Sequence, residues 1–356
     1  MSISGMANRE VRPVEQLLAS VIVLGYNGRS YLEACFDSLR DQDLPPDTYE
    51  LLYVDNGSVD GSASYVEENH PGVTVIRLDR NCGYAEGNNI GFRHAQGDTV
   101  VFLNQDTVVH RAWLRELLGG LRSSEDIMAA HANIIQPWYP EFAGLATREN
   151  PQVAYTAEVS RLGYVRYRRL PPVSGPVDTL FLHGVCIAIR RELAEELGYI
   201  FDSDFFSYAE DLDLGLRVHA LGYRTVVVPG AVVYHLHTLR TRLTPATFAH
   251  TIRIVRNRFL SFFKVMSLPE FLLAIPLLTL GGPCNVTEFG LSGTRRLLYG
   301  LFLVPVTAMA LVTTAWQLRN YRGKRRQARA GRKGFSCLRA MWQSRPGTPV
   351  SAGARS

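Results

Sequence analysis

SVIVLGYNGRSYLEACFDSLRDQDLPPDTYELLYVDNGS, residues 20–58, places an apolar run, a helical pattern and a second apolar run in succession. Residues 20–24 and 50–54 are short and largely apolar, with β-branched and aromatic side chains. Between them Leu32, Phe36 and Leu39 recur at the helical period. A strand, a covering helix and a second strand of this kind pack as a parallel pair. The alternation continues outward, with strands expected at 73–78, 99–103 and 128–135 and a second helical face at Trp113, Leu117 and Leu121. The first 135 residues therefore predict an α/β domain with a mostly parallel central sheet and flanking helices.

Residues 136–178 hold many Pro, Tyr and Arg without a period and read as an irregular excursion across one end of the sheet. Order is expected again in a strand at 180–189, helices at 191–197 and 209–220, and extended runs at 225–228 and 231–234. That closes the domain near residue 250. Residues 1–18 read as a loose tail.

The chain has 356 residues, 46% of them hydrophobic, enough for one substantial core and a smaller appendix. Cys35, Cys82, Cys186, Cys284 and Cys337 are far apart and form no C-x-x-C pair, which argues against a disulfide framework or a thiolate zinc site. The opening MSISGMANRE has no apolar core behind a basic stretch, so a secretory signal is not expected. The formal charge of +5 is uneven, because residues 319–345 hold ten Lys or Arg and no acid. That run follows 22 uncharged residues at 297–318, and a shorter uncharged stretch of 17 occupies 271–287. Only the longer reaches the ~20 residues that span hydrocarbon. Pro276, Gly281, Gly282, Pro283 and Pro305 weaken a straight double crossing and favour helices lying in or re-entering the membrane surface. The basic run then reads as a tail facing anionic lipid rather than nucleic acid. The expected divisions are a tail at 1–18, a catalytic domain at 19–250, membrane-associated helices at 251–318 and an unordered basic tail at 319–356, with the protein at the cytoplasmic face of the membrane.

Ligands of open α/β sheets bind beyond the carboxyl ends of the strands. Four such ends are polar: Gly25-Tyr26-Asn27, Asp55-Asn56-Gly57-Ser58, Asn81-Cys82-Gly83-Tyr84 and Asn104-Gln105-Asp106. Asp55 can accept from a nucleobase or a ribose, and it equally suits a turn and a helix cap. Asn104-x-Asp106 offers oxygens to a hard cation bridging a diphosphate, although a turn uses the same residues. In Glu210-Asp211-Leu212-Asp213, Asp211 and Asp213 point about 200° apart on a helix. Asp213 can pair with Arg217, which leaves Asp211 for the crevice. His235 ends an apolar strand, with His237 close behind.

In this order, VIVLGYN (21–27), VDNGSVDGS (54–62), NCGYAEGNN (81–89), FLNQDT (102–107), FDSDFFSYAEDLDLGLR (201–217) and GYRTVVVPGAVVYH (222–235) resemble family 2 glycosyltransferases of the GT-A fold, particularly rhamnosyltransferase-like members. The resemblance spans residues 20–240. It implies that Asp55 contacts the nucleobase and that Asn27, Asn81, Gly83, Asn88 and Asn104 border the donor. It also implies that Asp106 and His235 hold a divalent metal, Mn2+ or Mg2+, on the diphosphate. Asn104 stands where the family's metal motif often has its first acid, which leaves one carboxylate there. Asp211 matches the general base of an inverting transfer. The implied donor is a UDP- or dTDP-linked sugar, and the acceptor a glycan or glycolipid for a cell-surface polysaccharide. Trp138, Tyr139, Tyr164 and Tyr167 are candidates for stacking on acceptor sugars or for local packing.

Three other classes meet specific obstacles. A dinucleotide oxidoreductase needs a G-x-G-x-x-G after a strand, and none is present. A processive polysaccharide synthase resembles this family with an added Q-x-x-R-W motif, absent after Asp211. A non-catalytic assembly protein on the same fold predicts damage at Asp106 or Asp211, and both are intact.

Overall fold

The computed structural model describes residues 17–146, 151, 153–161, 163–236, 245–284, 293–330 and 335–343. The chain opens with β1 (Ala19–Gly25), α1 (Arg29–Arg40), β2 (Tyr49–Asp55), α2 (Ser62–Asn69), β3 (Val73–Arg77), α3 (Gly83–His94), β4 (Thr99–Asn104), β5 (Thr107–Val109), α4 (Trp113–Arg122) and β6 (Ile127–Ile135). It continues with β7 (Tyr155–Val159), β8 (Val165–Arg169), β9 (Val177–Asp178), β10 (Cys186–Arg190), α5 (Leu193–Leu197), α6 (Glu210–Ala220) and β11 (Arg224–His235). The described helices after that are α7 (Pro245–Val265), α8 (Leu268–Cys284), α9 (Gly293–Gln317), α10 (Arg322–Ala330) and α11 (Cys337–Gln343).

One nine-stranded sheet runs β3-β2-β1-β4-β10-β6-β11-β5, with β9 against β11. Strands β3, β2, β1 and β4 pair in parallel, as do β6 and β11, while β10, β5 and β9 run antiparallel to their neighbours. The period of two explains both covers of the sheet. Val21, Val23, Leu51 and Tyr53 enter the core under α1 and α4, and Ile22, Leu52 and Val54 enter the opposite one with α5 and α6.

Several elements differ from expectation. Residues 136–178 contain the antiparallel hairpin β7–β8, paired from Tyr155↔Arg169 to Val159↔Val165. The strand expected at 180–189 is confined to β10, because residues before it turn through His183 and Gly184 to meet α6. The two runs at 225–228 and 231–234 are one strand, β11, whose register against β6 shifts between Val228 and Val232, where Pro229 and Gly230 cannot continue the ladder.

The largest correction is C-terminal. Among the described residues no helix is long and apolar enough to cross a membrane. Val306 and Ala310 of α9 are buried in a core shared with α6, α7 and α8, so part of the apolar length is spent on protein packing. The domain does not close near residue 250 either. Helix α7 lies on α6, and buried Phe259, Leu260, Phe262 and Phe263 join that core. Residues 319–356 include α10 and α11 where an unordered tail was expected. The arginines and lysine of α10 explain it: Lys324 pairs with Asp202 and Asp204, and Arg325 and Arg329 donate to the carbonyls of Phe263 and Met266. The tails at 1–16 and 344–356 lie outside the described residues.

Candidate active site

Parallel register sets the site. Gly25 pairs with Asp55 and Leu24 with Asn104, so β1, β2 and β4 end on one edge. Beyond that edge is a cavity of about 400 Å3. Tyr26, Asn56, Asn104, Gln105 and Asp106 line it from the strand ends, Asn81, Gly83 and Tyr84 from the start of α3, and Phe206, Ser207 and Tyr208 from the loop before α6.

Of the expected donor residues, Asn81, Gly83 and Asn104 line this cavity. Asp55 is buried beneath it, with Oδ1 accepting from the Ser58 amide at 3.3 Å. Asn27, at a φ of 48°, accepts from the Val59 amide and donates its own amide to Ser58 Oγ. It therefore braces the turn after β2 instead of lining the cavity. Asn88 is buried on α3, donating to Tyr84 O at 3.1 Å, and its Oδ1 has no partner among the described residues. Burial on a helix facing the sheet removes it from the lining.

Asn56 does the organising. Its Nδ2 donates to Asn81 Oδ1 and Gly83 O, and its Oδ1 accepts from the Cys82 amide at 2.8 Å, tying the end of β2 to the loop before α3. At Gly83 φ is +83°, and an added Cβ would lie 2.3 Å from Phe206 O. Phe206 O in turn accepts from the Ala85 amide, so the wall over the cavity rests on the first turn of α3.

Asp106 and His235 meet at this edge, His235 Nε2 lying 3.3 Å from Asp106 Oδ2. Antiparallel pairing of β11 with β5 brings them together, since His235 opposes Thr107. His235 Nδ1 is 3.2 Å from Gln136 Oε1. In the tautomer that donates from Nδ1 to that amide oxygen, the Nε2 lone pair faces Asp106, and such a facing pair suits a cation between them. Groups of three or more acidic, histidine or cysteine side chains able to hold a metal are absent among the described residues. One carboxylate and one imidazole still fit a divalent ion that completes its shell from phosphate oxygens and water. His237 lies outside the described residues.

Asp211 sits at the start of α6, its Oδ1 accepting from the Leu212 amide and its Oδ2 from the Gly184 amide at 3.2 Å. Tyr84 of the cavity wall donates to Gly184 O at 2.6 Å, which links the two. Burial pushes the Asp211 carboxyl up to about 6. Buried Glu210 is driven well above the usual carboxylate range, first by desolvation and then by the charge of Asp211. Asp213 turns away and pairs with Arg217 at 2.8 Å, as the helical spacing predicts.

Residues 206–208 fall within the 201–217 stretch, but their place in the cavity wall and their backbone conformation escape sequence reasoning. Phe206, Tyr208 and Ala209 all have positive φ, at 63°, 72° and 66°, without a glycine among them. Asn257 of α7 holds them: its Nδ2 lies 3.0, 3.2 and 2.9 Å from the carbonyls of Phe205, Ser207 and Tyr208. Among the aromatic candidates, Tyr139 stacks on Tyr155 and Tyr164 lies under Arg258, which is local packing. Trp138 and Tyr167 are exposed.

An α/β sheet with a crevice at its carboxyl edge, an Asp–His pair on one side and a buried carboxylate near the other defines a GT-A-like fold. A mannosyltransferase of Pyrobaculum calidifontis, solved with GDP-Man and Mn2+, shares it, at a TM-score of 0.51 and 21% identity over 90% of this chain and 89% of that one. The glycosyl transferase family 2 model matches residues 20–198, and the chain belongs to that family. An N-acetylglucosaminyl-diphospho-decaprenol L-rhamnosyltransferase of Mycobacterium tuberculosis is 27% identical over 251 residues, covering 64% of this chain and 78% of that protein. An O-antigen biosynthesis protein of Myxococcus xanthus is 29% identical over 230 residues, 61% of this chain but only 17% of that much longer protein.

Proposed function

We propose that the protein transfers a single sugar, with inversion, from a UDP- or dTDP-linked donor to a hydroxyl of a glycan or glycolipid, in a reaction that needs Mn2+ or Mg2+. One observation carries this reading: the Asp106–His235 pair borders the cavity, while Asp211 is joined to the same cavity through Gly184 and Tyr84. The rhamnosyltransferase relative supports rhamnose as the sugar and a polyprenyl-diphosphate-linked acceptor, and the mannosyltransferase neighbour supports a nucleotide sugar with Mn2+.

In this reading the cavity takes the nucleoside diphosphate, with Asn81, Gly83 and Asn104 along the donor and Asp55 beneath the base. Asp106 and His235 would hold a divalent metal, whose charge would supply neutralisation for a diphosphate leaving group. Asp211 accepts the proton of the acceptor hydroxyl. The freed oxygen pair forms the new bond to the anomeric carbon as the carbon–phosphate-oxygen bond breaks, and its electrons leave on the diphosphate. Attack opposite the leaving group inverts that centre. The Leu212 and Gly184 amides orient the Asp211 carboxylate, and burial gives it a basicity suited to a proton acceptor near neutrality.

The test is a thermal-shift titration with UDP and dTDP, with and without Mn2+, beside Asp106→Ala. At a hundred times its dissociation constant a ligand adds about 2.7 kcal/mol, a readily measured rise in midpoint. One nucleotide is expected to stabilise the protein only with metal, and Asp106→Ala to abolish the effect. Absence of a shift with either nucleotide would move the protein to the non-catalytic class.

A further inference from the structure

Helices α8 and α9 leave a face uncovered. Along α9, Val304, Met309, Val312 and Trp316 are 59%, 48%, 65% and 79% exposed. At 100° per residue they fall within an arc of about 140°. Pro305, Ala308 and Ala315 lie in the same arc and are exposed too. Leu303, Val306, Ala310 and Thr314 occupy the other side and are buried. The stripe runs about 18 Å. Helix α8, packed beside α9, repeats the arrangement: Leu268, Leu272 and Leu273 are 54%, 58% and 69% exposed, whereas Phe271, Ala274 and Leu278 are buried.

Seven large apolar side chains exposed on two adjoining helices exceed what a solvated surface carries by chance, and such patches mark contact surfaces. The residues just beyond the stripe identify the partner. Trp316 ends it, and Arg319, Arg322 and Arg326 come next, all exposed, in a stretch of ten basic residues without an acid. Lys324, Arg325 and Arg329 of the same stretch turn inward to Asp202, Phe263 and Met266, so the outward arginines are a separate set. An apolar stripe closed by tryptophan and flanked by arginine matches the boundary between acyl chains and anionic headgroups.

We infer that the α8–α9 face docks on an anionic lipid surface, with both helices in the plane of the interface and Trp316, Arg319 and Arg322 at headgroup level. This goes beyond sugar transfer and does not rest on it.

The experiment is co-sedimentation of the full chain, free of detergent, with phosphatidylcholine vesicles with and without phosphatidylglycerol. Partitioning is expected to favour the anionic vesicles, to fall about tenfold in Val312→Glu and Trp316→Glu, and to lose its lipid preference in Arg319→Glu/Arg322→Glu. Nucleotide-induced thermal shifts stay unchanged in these variants, because none of the residues touches the cavity. No binding to anionic vesicles, or equal binding by the glutamate variants, overturns the inference. So does a dimer in sedimentation that Val312→Glu dissociates, because a second copy then covers the face. Vesicle binding without any nucleotide shift would sink the transfer reading alone.

Discussion

At the residue scale, Asp211 carries the sharpest expectation. Burial places its carboxyl at about 6, so the side chain is protonated below that pH and ionised above it. A base works in the ionised form. The turnover rate is therefore expected to climb about tenfold per pH unit below 6 and to level off above it, which a pH profile of kcat would show. Asp211→Asn keeps the two amide contacts sterically and removes the proton acceptor. It is expected to lose 10²-fold or more, roughly, in kcat while retaining the Mn2+-dependent nucleotide shift; full activity would remove Asp211 from the mechanism. Asp106, Asn81, Gly83 and Asn104 were legible because each follows an apolar strand, where sheet topology leaves only one place to go. Asn27 and Asn88 share those letters and positions, yet one braces a turn and the other packs on α3. No single-sequence rule separates an asparagine that faces a ligand from one that satisfies its own backbone.

At the scale of elements, the loop from Asp202 to Ala209 depends on α7. Left-handed backbone at a non-glycine residue costs on the order of 1–3 kcal/mol, and three such residues within four persist only when neighbours over-determine them. One face of α7 does so, spaced three and four residues apart: His250 meets the Tyr208 ring, Arg253 lies over the Phe206 ring and Asn257 binds three carbonyls. Asn257→Leu removes the side-chain donor from the Ser207 and Tyr208 carbonyls, while Phe205 O keeps the Ser207 amide, at roughly 1–3 kcal/mol for each carbonyl left unpaired and buried, so the loop relaxes before the helix does. The expected result is a preserved fold by circular dichroism with kcat reduced at least about tenfold, because a displaced wall misplaces the donor by a fraction of an ångström. Unchanged kinetics would make the clamp a packing feature only. From sequence the loop was visible only as the first part of the 201–217 stretch, and its clamp was not. Asn257 lies about fifty residues away, in the stretch expected to form membrane-associated helices, and a polar face turned inward toward carbonyls has the same letters as one turned toward water.

At the scale of the molecule, a buried ionic network explains why the domain does not end at β11. Lys264 of α7 lies 2.7 Å from both Asp202 and Asp213, Arg217 pairs with Asp213, and Lys324 of α10 reaches Asp202 and Asp204. Lys264, Asp202 and Asp213 are wholly buried. Burial raises the Asp202 carboxyl, and the two lysines together more than offset that, leaving it below its ordinary value. A depressed folded value means that this stabilisation is complete above the unfolded value near 3.9 and is lost as pH falls through the folded one. Removal of one partner strands the others: Lys264→Met leaves Asp202 and Asp213 without their central cation and is expected to cost about 3–5 kcal/mol. Denaturant unfolding would measure it, and a loss below about 1 kcal/mol would mean that Lys324 and Arg217 suffice. Helix α6, which carries Asp211, is thereby held against segments that come after it in sequence, α7 and α10. A chain ending at Leu236 keeps every strand of the sheet and every residue assigned to donor, metal and base, and it is still expected not to fold, because Asp213, Arg217 and the apolar face of α6 lose their partners at once.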